Sequence, residues 1–288
     1  MIFKTVVVIG AGTMGAGIAQ WFLQQKINVE LVDSNYELAL LSSEGIKKNL
    51  DSLTAKGKLT AEESNHFKTA LKVVKLQEIS PNCELVIEAI IENKEIKRKL
   101  FTDLEKIVSK ETIIASNTSS FPITELSSSL SLDRRSNFLG LHFFNPATIM
   151  KLVEVISGNL TDKKLAQSIA HWFNQRGKVA CECNDAPGFI VNRVARNFYG
   201  ESLRACTNYN LDTIKEIDTT LKAVGGFKMG PFELMDLIGI DVNLSVTESV
   251  YHAFFEEPRF KPHRLQKEMV DSQRLGRKTK IGFYHYDS

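Results

Sequence analysis

The sequence has little of what marks several other classes of protein. Its four cysteines in 288 residues have neither the density of a disulfide-built domain nor the spacing of a zinc site. No apolar run approaches the ~20 residues of a membrane span, and no secretory signal fits the first residues. The chain also lacks an excess of one charge, since it has 36 basic and 34 acidic residues. Its overall charge therefore does not favour binding to nucleic acid. We expect a cytoplasmic enzyme with reduced thiols, Cys181 and Cys183 being buried.

The order of apolar and polar segments changes once along the chain. Up to about residue 185, short apolar runs alternate with helical stretches, which predicts an α/β fold with a Rossmann-type doubly wound sheet and a strand pair added at its far edge. The turn-forming segment Asn184–Gly188 is the expected boundary. Beyond it the pattern is helical, with helices predicted over 189–207, 211–224, 231–254 and 264–272. We therefore predict a nucleotide-binding domain over residues 1–185 and an all-helical domain over 186–288.

The predicted helical domain carries much apolar surface, including residues of the predicted helix over 231–254. Such a surface is often a dimer interface, but the same residues could simply form the core of the helical domain. The sequence leaves both alternatives open for Leu234, Leu237, Ile238, Val242, Leu244, Val246 and Val250.

The N-terminus carries a glycine fingerprint between a strand and a helix. Gly10 permits a tight turn, Gly12 lets the backbone approach a pyrophosphate, and Gly15 lets the helix pack close to the strand. A second apolar run ends in Asp33, twenty-three residues after Gly10, where a carboxylate can accept hydrogen bonds from the ribose hydroxyls and repel a 2′-phosphate. The next two residues, Ser34 and Asn35, offer no arginine that could hold such a phosphate. The alternative is a glycine turn in a nucleotide-free α/β domain, but the combination favours NAD over NADP.

A histidine and a glutamate lie on two consecutive strand-like apolar runs. His142 lies near the end of the first run, and Glu154 follows twelve residues later on the second. An imidazole can give or take a proton near neutral pH, and a buried carboxylate on its other nitrogen would fix the tautomer and stabilise the imidazolium. A histidine among apolar residues is often only a core residue, so this stretch alone leaves both interpretations open.

Taken together, the motifs resemble the short-chain L-3-hydroxyacyl-CoA dehydrogenase family, and most of all its 3-hydroxybutyryl-CoA dehydrogenases. The similarity runs from Val6 to Tyr286 and keeps the motifs in order. Besides the glycine fingerprint and the histidine stretch, they are Val86–Asn93, Ala115–Ser120, Pro187–Arg193, Met229–Leu234 and Arg274–Lys278.

The resemblance implies roles for individual residues in catalysis. His142 would be the general base and acid, oriented by Glu154. Ser119 and Asn192 match positions that hydrogen-bond the substrate oxygens, and Asn145 matches one that helps to build the same pocket. Each of these three could instead do only local backbone work, as small polar residues often do.

It also implies the ligand-binding residues and the assembly. Besides the glycines and Asp33, the NAD-binding positions would be Thr13, Met14, Ala89, Glu92, Lys97, Asn117, Ser119 and Lys278. Lys56 matches a lysine near the coenzyme A phosphates, so the expected substrate is an acyl-CoA, bound with Ser119 and Asn192. Lys56, Lys97 and Lys278 could each be plain solvated lysines. No metal is expected. A homodimer that forms through the helical domain is expected.

Two other functions stay open. One is a dehydrogenase of the same fold that acts on a free hydroxyacid, of the gulonate type. The other is a non-catalytic NAD-binding protein, because a fold alone does not fix a function. Lys228 and Lys280 depart from the family pattern, which bears on loop and tail geometry rather than on His142, Glu154 or the glycines.

Overall fold

The computed structural model describes residues 3–206 and 208–286. The chain divides between Ala186 and Pro187 into two compact units, which we call the sheet unit and the helical unit. Within the described ranges, no helix is both long and apolar enough to cross a membrane.

The sheet unit is built on one eight-stranded sheet. Its strand order is β3-β2-β1-β4-β5-β6-β7-β8. All neighbours pair in parallel except β6 and β7, which are antiparallel. This confirms the predicted doubly wound sheet with a strand pair at one edge. The strands are β1 Thr5–Ile9, β2 Asn28–Val32, β3 Leu71–Val73, β4 Leu85–Glu88, β5 Ile113–Ser116, β6 Phe138–Phe143, β7 Leu152–Ser157 and β8 Val179–Asn184.

Helices cover this sheet, so its central strands are buried on both faces and read as continuous apolar runs. At the start of α3, the Thr60 side chain accepts from the Glu63 N–H and the Glu63 carboxylate accepts from the Thr60 N–H, which forms a capping box. On the edge strand β8, Cys181 and Cys183 are only half-buried, so the prediction of two buried thiols is wrong there. The helices are α1 Thr13–Gln24, α2 Tyr36–Ala55, α3 Ala61–Thr69, α4 Lys94–Ile107, α5 Ile123–Ser127 and α6 Lys163–Asn174.

The helical unit contains α7 Val191–Ala205, α8 Leu211–Gly225, α9 Pro231–Ile238, α10 Ile240–Ala253 and α11 Arg264–Asp271. The single helix predicted over 231–254 is wrong, because Gly239 takes a φ of 103° and separates α9 from α10. The helix predicted to end at Thr207 ends at Ala205, and Thr207 itself lies outside the described residues.

Two buried aspartates tie the C-terminal aromatic segment to these helices. Asp218 accepts from the N–H groups of Phe232 and Glu233 and from the Tyr284 hydroxyl. Asp236 accepts from the backbone N–H groups of two residues of that segment and from the Tyr286 hydroxyl. Each carboxylate therefore has the partners that a buried charge requires.

The apolar residues of α9 and α10 divide between core and surface. Leu244 and Val250 are buried in the helical unit, whereas Leu237, Ile238 and Val242 are 48%, 43% and 46% exposed. The core interpretation therefore holds for part of the set, and the three exposed residues stay available for the predicted dimer contact.

Candidate active site

His142 and Glu154 face each other across the antiparallel pair β6–β7. The register places them directly opposite, and His142 Nδ1 lies 2.6 Å from Glu154 Oε2. His142 is 7% exposed and Glu154 is fully buried. The ring of Phe144 packs on the imidazole with centroids 4.5 Å apart. A carboxylate on Nδ1 keeps a proton on that nitrogen and assigns proton exchange with a ligand to Nε2, the nitrogen that Glu154 does not engage.

Asn117 ties together the ends of three parallel strands beside this pair. Its side-chain Oδ1 accepts from the Phe143 N–H at 2.8 Å, and its own N–H donates to the Glu88 carbonyl at 2.8 Å. Since Phe143 follows His142, Asn117 fixes the backbone next to the imidazole. The residue predicted to contact the cofactor thus also has a structural task.

The turn that carries Ser119 is held by one carboxylate. Glu92 Oε1 accepts from the Thr118 hydroxyl at 2.6 Å, from the Ser119 N–H at 3.1 Å and from the Ser120 hydroxyl at 2.9 Å. Burial by itself would raise the pKa of Glu92, but the ammonium of Lys97 and the Thr118 hydroxyl hold it below its ordinary value. Glu92 therefore stays ionised and keeps Ser119 in place.

Lys97 is buried, contrary to the interpretation of this residue as a solvated lysine. It is 1% exposed, and its Nζ lies 2.5 Å from Glu88 Oε1 and 3.0 Å from Glu92 Oε2. Glu88 also accepts from the Ser116 hydroxyl at 2.6 Å and is itself fully buried, which raises its pKa. Glu88 was missed by sequence reasoning, although a lone glutamate inside an apolar strand is a visible signal.

Each position of the glycine fingerprint is occupied by glycine for a different physical reason. Gly10 has a φ of 106°, and a Cβ there would lie 2.3 Å from the Ala89 carbonyl oxygen. A Cβ on Gly15 would lie 1.7 Å from the Gly10 carbonyl oxygen, so a side chain would push α1 off the strand. At Gly12 a Cβ would meet no protein atom within 4 Å. Packing does not require that glycine, which fits a position reserved for a ligand at the start of α1.

Asp33 lines a cleft of about 490 Å³ whose other lining includes Gly10, Gly12 and Ala89. Its Oδ2 accepts from the Ala11 N–H at 2.8 Å and its Oδ1 from the Asn35 N–H at 2.9 Å. The walls are mostly apolar, as an adenine ring requires, and are formed by Ile9, Val32, Leu38, Leu76, Ile90, Ile91, Ile96 and Leu100. The carboxylate and the apolar slot together fit an adenosine with unmodified ribose hydroxyls.

Lys99 also lines this cleft, and sequence reasoning missed it. It lies on α4, sixty-six residues after Asp33, where no motif points to the nucleotide. Its ammonium is the one basic side chain among the residues that line the cleft, so the cleft is not free of positive charge.

Asn145 lies in a second cleft of about 330 Å³ between α1, α2 and the segment after β6. Thr13 contributes to this cleft as well, whereas Met14 packs partly buried against the core. Lys56 follows the end of α2 and is exposed, which leaves its ammonium accessible to a solution anion.

The two other predicted residues belong to the helical unit. Asn192 is the second residue of α7. Lys278 forms an ion pair with Asp241, Nζ and Oδ1 being 2.6 Å apart. The sheet unit thus brings together His142 and Glu154, and separately the glycine turn, Asp33 and Ala89; the roles of all these residues stay predictions.

Comparison with known families matches residues 5–186 to the NAD binding domain of 3-hydroxyacyl-CoA dehydrogenase and residues 188–286 to the C-terminal domain of the same family. The chain therefore belongs to the 3-hydroxyacyl-CoA dehydrogenase family, a family of oxidoreductases. This confirms the resemblance read from the sequence, the fold class and NAD as the cofactor.

Individual relatives differ in the substrate that their names give. The 3-hydroxyadipyl-CoA dehydrogenase of Escherichia coli is 42% identical over 98% of this chain, which spans 59% of that relative's length. A probable 3-hydroxybutyryl-CoA dehydrogenase of Bacillus subtilis is 37% identical and is covered over 99% of its length. The crystal structure of (S)-3-hydroxybutyryl-CoA dehydrogenase from Ralstonia eutropha superimposes with a TM-score of 0.91 at 34% identity, each chain being covered completely.

Proposed function

We propose that this protein oxidises L-3-hydroxyacyl-CoA to 3-oxoacyl-CoA with NAD and catalyses the reverse reduction, short chains such as 3-hydroxybutyryl-CoA and acetoacetyl-CoA being favoured. The observation that carries the proposal is the buried pair of His142 Nδ1 and Glu154 Oε2 at 2.6 Å. The family membership supports the reaction class, and the relatives named for 3-hydroxybutyryl-CoA support the chain length.

The protein's own task in this reaction is to move one proton. In oxidation, Nε2 of His142 takes the proton of the 3-hydroxyl group, the C3–O bond becomes a carbonyl, and the C3 hydrogen leaves with its electron pair as hydride. NAD, when bound, supplies the acceptor for that hydride. In reduction, the imidazolium returns the proton to the oxygen. Glu154 stabilises the imidazolium in both directions because its carboxylate faces Nδ1.

Other residues would hold the substrate. Ser119 and Asn192 would donate hydrogen bonds to the substrate oxygens, and Asn145 would line the same pocket. Glu92 supports this role for Ser119 because it anchors the backbone N–H of that residue. Lys56, exposed at the end of α2, would attract the coenzyme A phosphates.

The assembly is a separate part of the proposal. A homodimer would form through the helical unit, where Leu237, Ile238 and Val242 leave apolar surface exposed.

The proposal is tested by following NADH absorbance when acetoacetyl-CoA or free acetoacetate is added to the purified protein. Rapid oxidation with the thioester alone supports it. Oxidation with the free acid alone would favour the gulonate-type alternative. NADH binding without turnover on either compound would favour a non-catalytic role.

Glu154→Gln is expected to lower kcat by about 100-fold, with a smaller change in KM. Glutamine keeps the shape of the side chain but removes the charge that stabilises the imidazolium, and its amide N–H can hold Nδ1 in the wrong tautomer. The measurement is steady-state kinetics with acetoacetyl-CoA. Glu182→Gln, an exposed residue of β8, is the matched control and should leave kcat unchanged. A Glu154→Gln variant as active as that control would remove Glu154 from the mechanism.

Asp33→Ala is expected to weaken NADH binding by about 10- to 100-fold, the value of one or two hydrogen bonds to a charged group. NADPH binding should improve relative to NADH, because the repulsion of a 2′-phosphate is gone and Lys99 lines the same cleft. Fluorescence titration with both nucleotides measures the ratio, which a general loosening of the turn at Ala11 would not change.

A second variant measures the contribution of Lys99 to NADPH binding. Asp33→Ala combined with Lys99→Gln should lose the part of the gain for NADPH that Lys99 supplies, while keeping the weakened NADH binding. If Asp33→Ala alone leaves the NADPH-to-NADH ratio unchanged, Asp33 does not face the ribose.

A further inference from the structure

Lys178 is a buried lysine of the sheet unit whose ammonium is held by backbone carbonyl groups. It stands immediately before β8 and is 6% exposed. Its Nζ donates to the Ala147 carbonyl oxygen at 2.5 Å and to the Met150 carbonyl oxygen at 2.7 Å. Among the residues that the structure describes, no aspartate or glutamate pairs with it, whereas the buried Lys97 has Glu88 as its partner.

The remaining surroundings of this ammonium are aromatic. Its Nζ lies 5.0 Å from the ring centroid of Trp21 on α1 and 5.7 Å from that of Phe143 on β6. The rings compensate only in part for the lost hydration, and burial lowers the pKa of Lys178 to about 8, so the ammonium is still charged at neutral pH. An apolar side chain would fill such surroundings without that cost. Packing alone therefore does not account for a lysine at this position.

Both carbonyl oxygens belong to the chain that leads from β6 to β7, Phe144–Met150, which we call the return segment. Inside it, the N–H groups of Ile149 and Met150 both donate to the Pro146 carbonyl, at 2.9 Å each. These two bonds close a turn but do not attach it to the sheet. Lys178 supplies such an attachment, because its one ammonium joins two points of the return segment to the start of β8.

The return segment carries groups of the candidate site. At its beginning, the ring of Phe144 packs on the imidazole of His142 with centroids 4.5 Å apart. The next residue, Asn145, lines the cleft of about 330 Å³ beside α1. Ala147 lies so close to α1 that a Cβ on Gly17 would be 3.3 Å from its own Cβ. A displacement of the return segment would therefore move Asn145 together with the ring that packs on the imidazole.

We propose that Lys178 is a positioning residue, whose two hydrogen bonds to the return segment keep Asn145 in the substrate pocket and Phe144 against His142. The role rests on the proposed function, since the pocket is that of the acyl-CoA reaction. A lysine suits it, because an ammonium has three donors on a flexible stem and its charge strengthens each bond to a carbonyl oxygen. Lys178 itself would exchange no proton with the substrate, because its Nζ is buried and engaged by the two carbonyl groups.

The first test is steady-state kinetics of Lys178→Met with acetoacetyl-CoA. Methionine keeps an unbranched stem among the aromatic rings but cannot bond the carbonyl groups. KM for acetoacetyl-CoA should rise about tenfold, while kcat falls less than about threefold because Glu154 still holds His142. The affinity for NADH should stay within about twofold. A residue that served folding alone would lower the amount of active protein and leave KM unchanged, and that result would overturn the proposal.

Two further variants separate the hydrogen bonds of Lys178 from its charge. Lys178→Gln keeps an N–H donor for one carbonyl group, so its KM should lie between those of the parent and Lys178→Met, and it carries the test if methionine prevents folding. Lys151→Met removes an exposed lysine next to the return segment and is the matched control, which should keep the parental KM. A rise in this control as large as in Lys178→Met would assign the effect to attraction of the acyl-CoA by positive charge and overturn the proposal.

Hydrogen exchange of the folded variants tests the attachment without any turnover. In Lys178→Met, the amides of Ile149 and Met150 should exchange at least about tenfold faster than in the parent, while those of β7 and of the Lys151→Met control keep their parental rates. Unchanged exchange would overturn the attachment, and faster exchange with a parental KM would overturn its role in placing Asn145. A parent that binds NADH but does not act on acetoacetyl-CoA would contradict the proposed function instead, and the exchange rates would still decide whether Lys178 holds the return segment.

Discussion

Replacing His142 with glutamine is expected to lower kcat for acetoacetyl-CoA reduction by about 1,000-fold while leaving the affinity for NADH nearly unchanged. Glutamine occupies similar space but cannot give a proton to the forming 3-hydroxyl group. NADH should still bind, because the glycine turn and Asp33 lie along a cleft that His142 does not line. Steady-state kinetics and a fluorescence titration of NADH measure the two effects separately.

The control uses the same substitution elsewhere in the sheet unit. His171 is an exposed residue of α6 whose side chain forms a hydrogen bond with Gln175 one turn later, so His171→Gln should keep the parental kcat. Turnover by His142→Gln at the level of this control would exclude His142 as the proton donor. Loss of NADH binding together with turnover would instead mean that the substitution disturbs the β6–β7 pair.

The sheet could be predicted from the sequence because each buried strand carries its signal in its own residues. Parallel strands buried on both faces must be continuous apolar runs, and Val6–Ile9, Leu85–Ile87 and Phe138–Leu141 read as such. The three-residue strand β3 was missed, since its exposed Lys72 breaks the apolar pattern and its pairing with β2 is a long-range contact. The break between α9 and α10 was missed because the flanking residues keep a helical period, and one glycine φ decides the outcome.

The candidate site also contains some residues that could be predicted from the sequence and others that could not. The pairing of His142 with Glu154 was accessible from sequence, because two consecutive strands bring residues twelve apart into register. The burial of Lys97 could not be predicted from the sequence. Its partner Glu88 lies on a strand and contacts α4 only after the helix packs on the sheet. Lys99 in the Asp33 cleft depends on tertiary packing for the same reason.

Lys97→Met is expected to destabilise the sheet unit by about 3–5 kcal/mol, because it leaves Glu88 as an uncompensated buried charge. Both side chains are at most 1% exposed, so solvent does not screen the loss. Urea unfolding measured by circular dichroism gives the change in the free energy of unfolding. Lys106→Met, at the exposed end of the same helix, is the matched control and should change it by less than about 0.5 kcal/mol.

The destabilisation should depend on pH in a defined direction. Burial already raises the pKa of Glu88 above that of the unfolded chain, and losing the Lys97 ammonium raises it further. A carboxyl group whose folded pKa is raised binds more protons in the native state, so stability falls as pH rises through the interval between the unfolded and the folded pKa. The deficit of Lys97→Met relative to the parent is therefore full above that interval and shrinks as the pH is lowered through it.

A double variant distinguishes the buried charge from the loss of packing. Lys97→Met with Glu88→Gln removes both charges, and the amide can still bond the Ser116 hydroxyl and the Ile90 N–H. It should recover at least half of the stability that Lys97→Met loses, and the part of the pH dependence that comes from Glu88 should disappear. A double variant as unstable as Lys97→Met would show that packing around the lysine stem, not charge, sets the effect.

The same variants decide between two roles for Lys97. The resemblance makes it an NAD contact, yet its Nζ is already held by Glu88 at 2.5 Å and by Glu92 at 3.0 Å. If Nζ holds these carboxylates, the double variant keeps its NADH affinity but shows a raised KM for acetoacetyl-CoA, because Glu92 no longer fixes the Ser119 turn from that side. A loss of NADH affinity that persists in the stable double variant would assign Lys97 to the cofactor directly, since the fold would then be intact and only the ammonium missing.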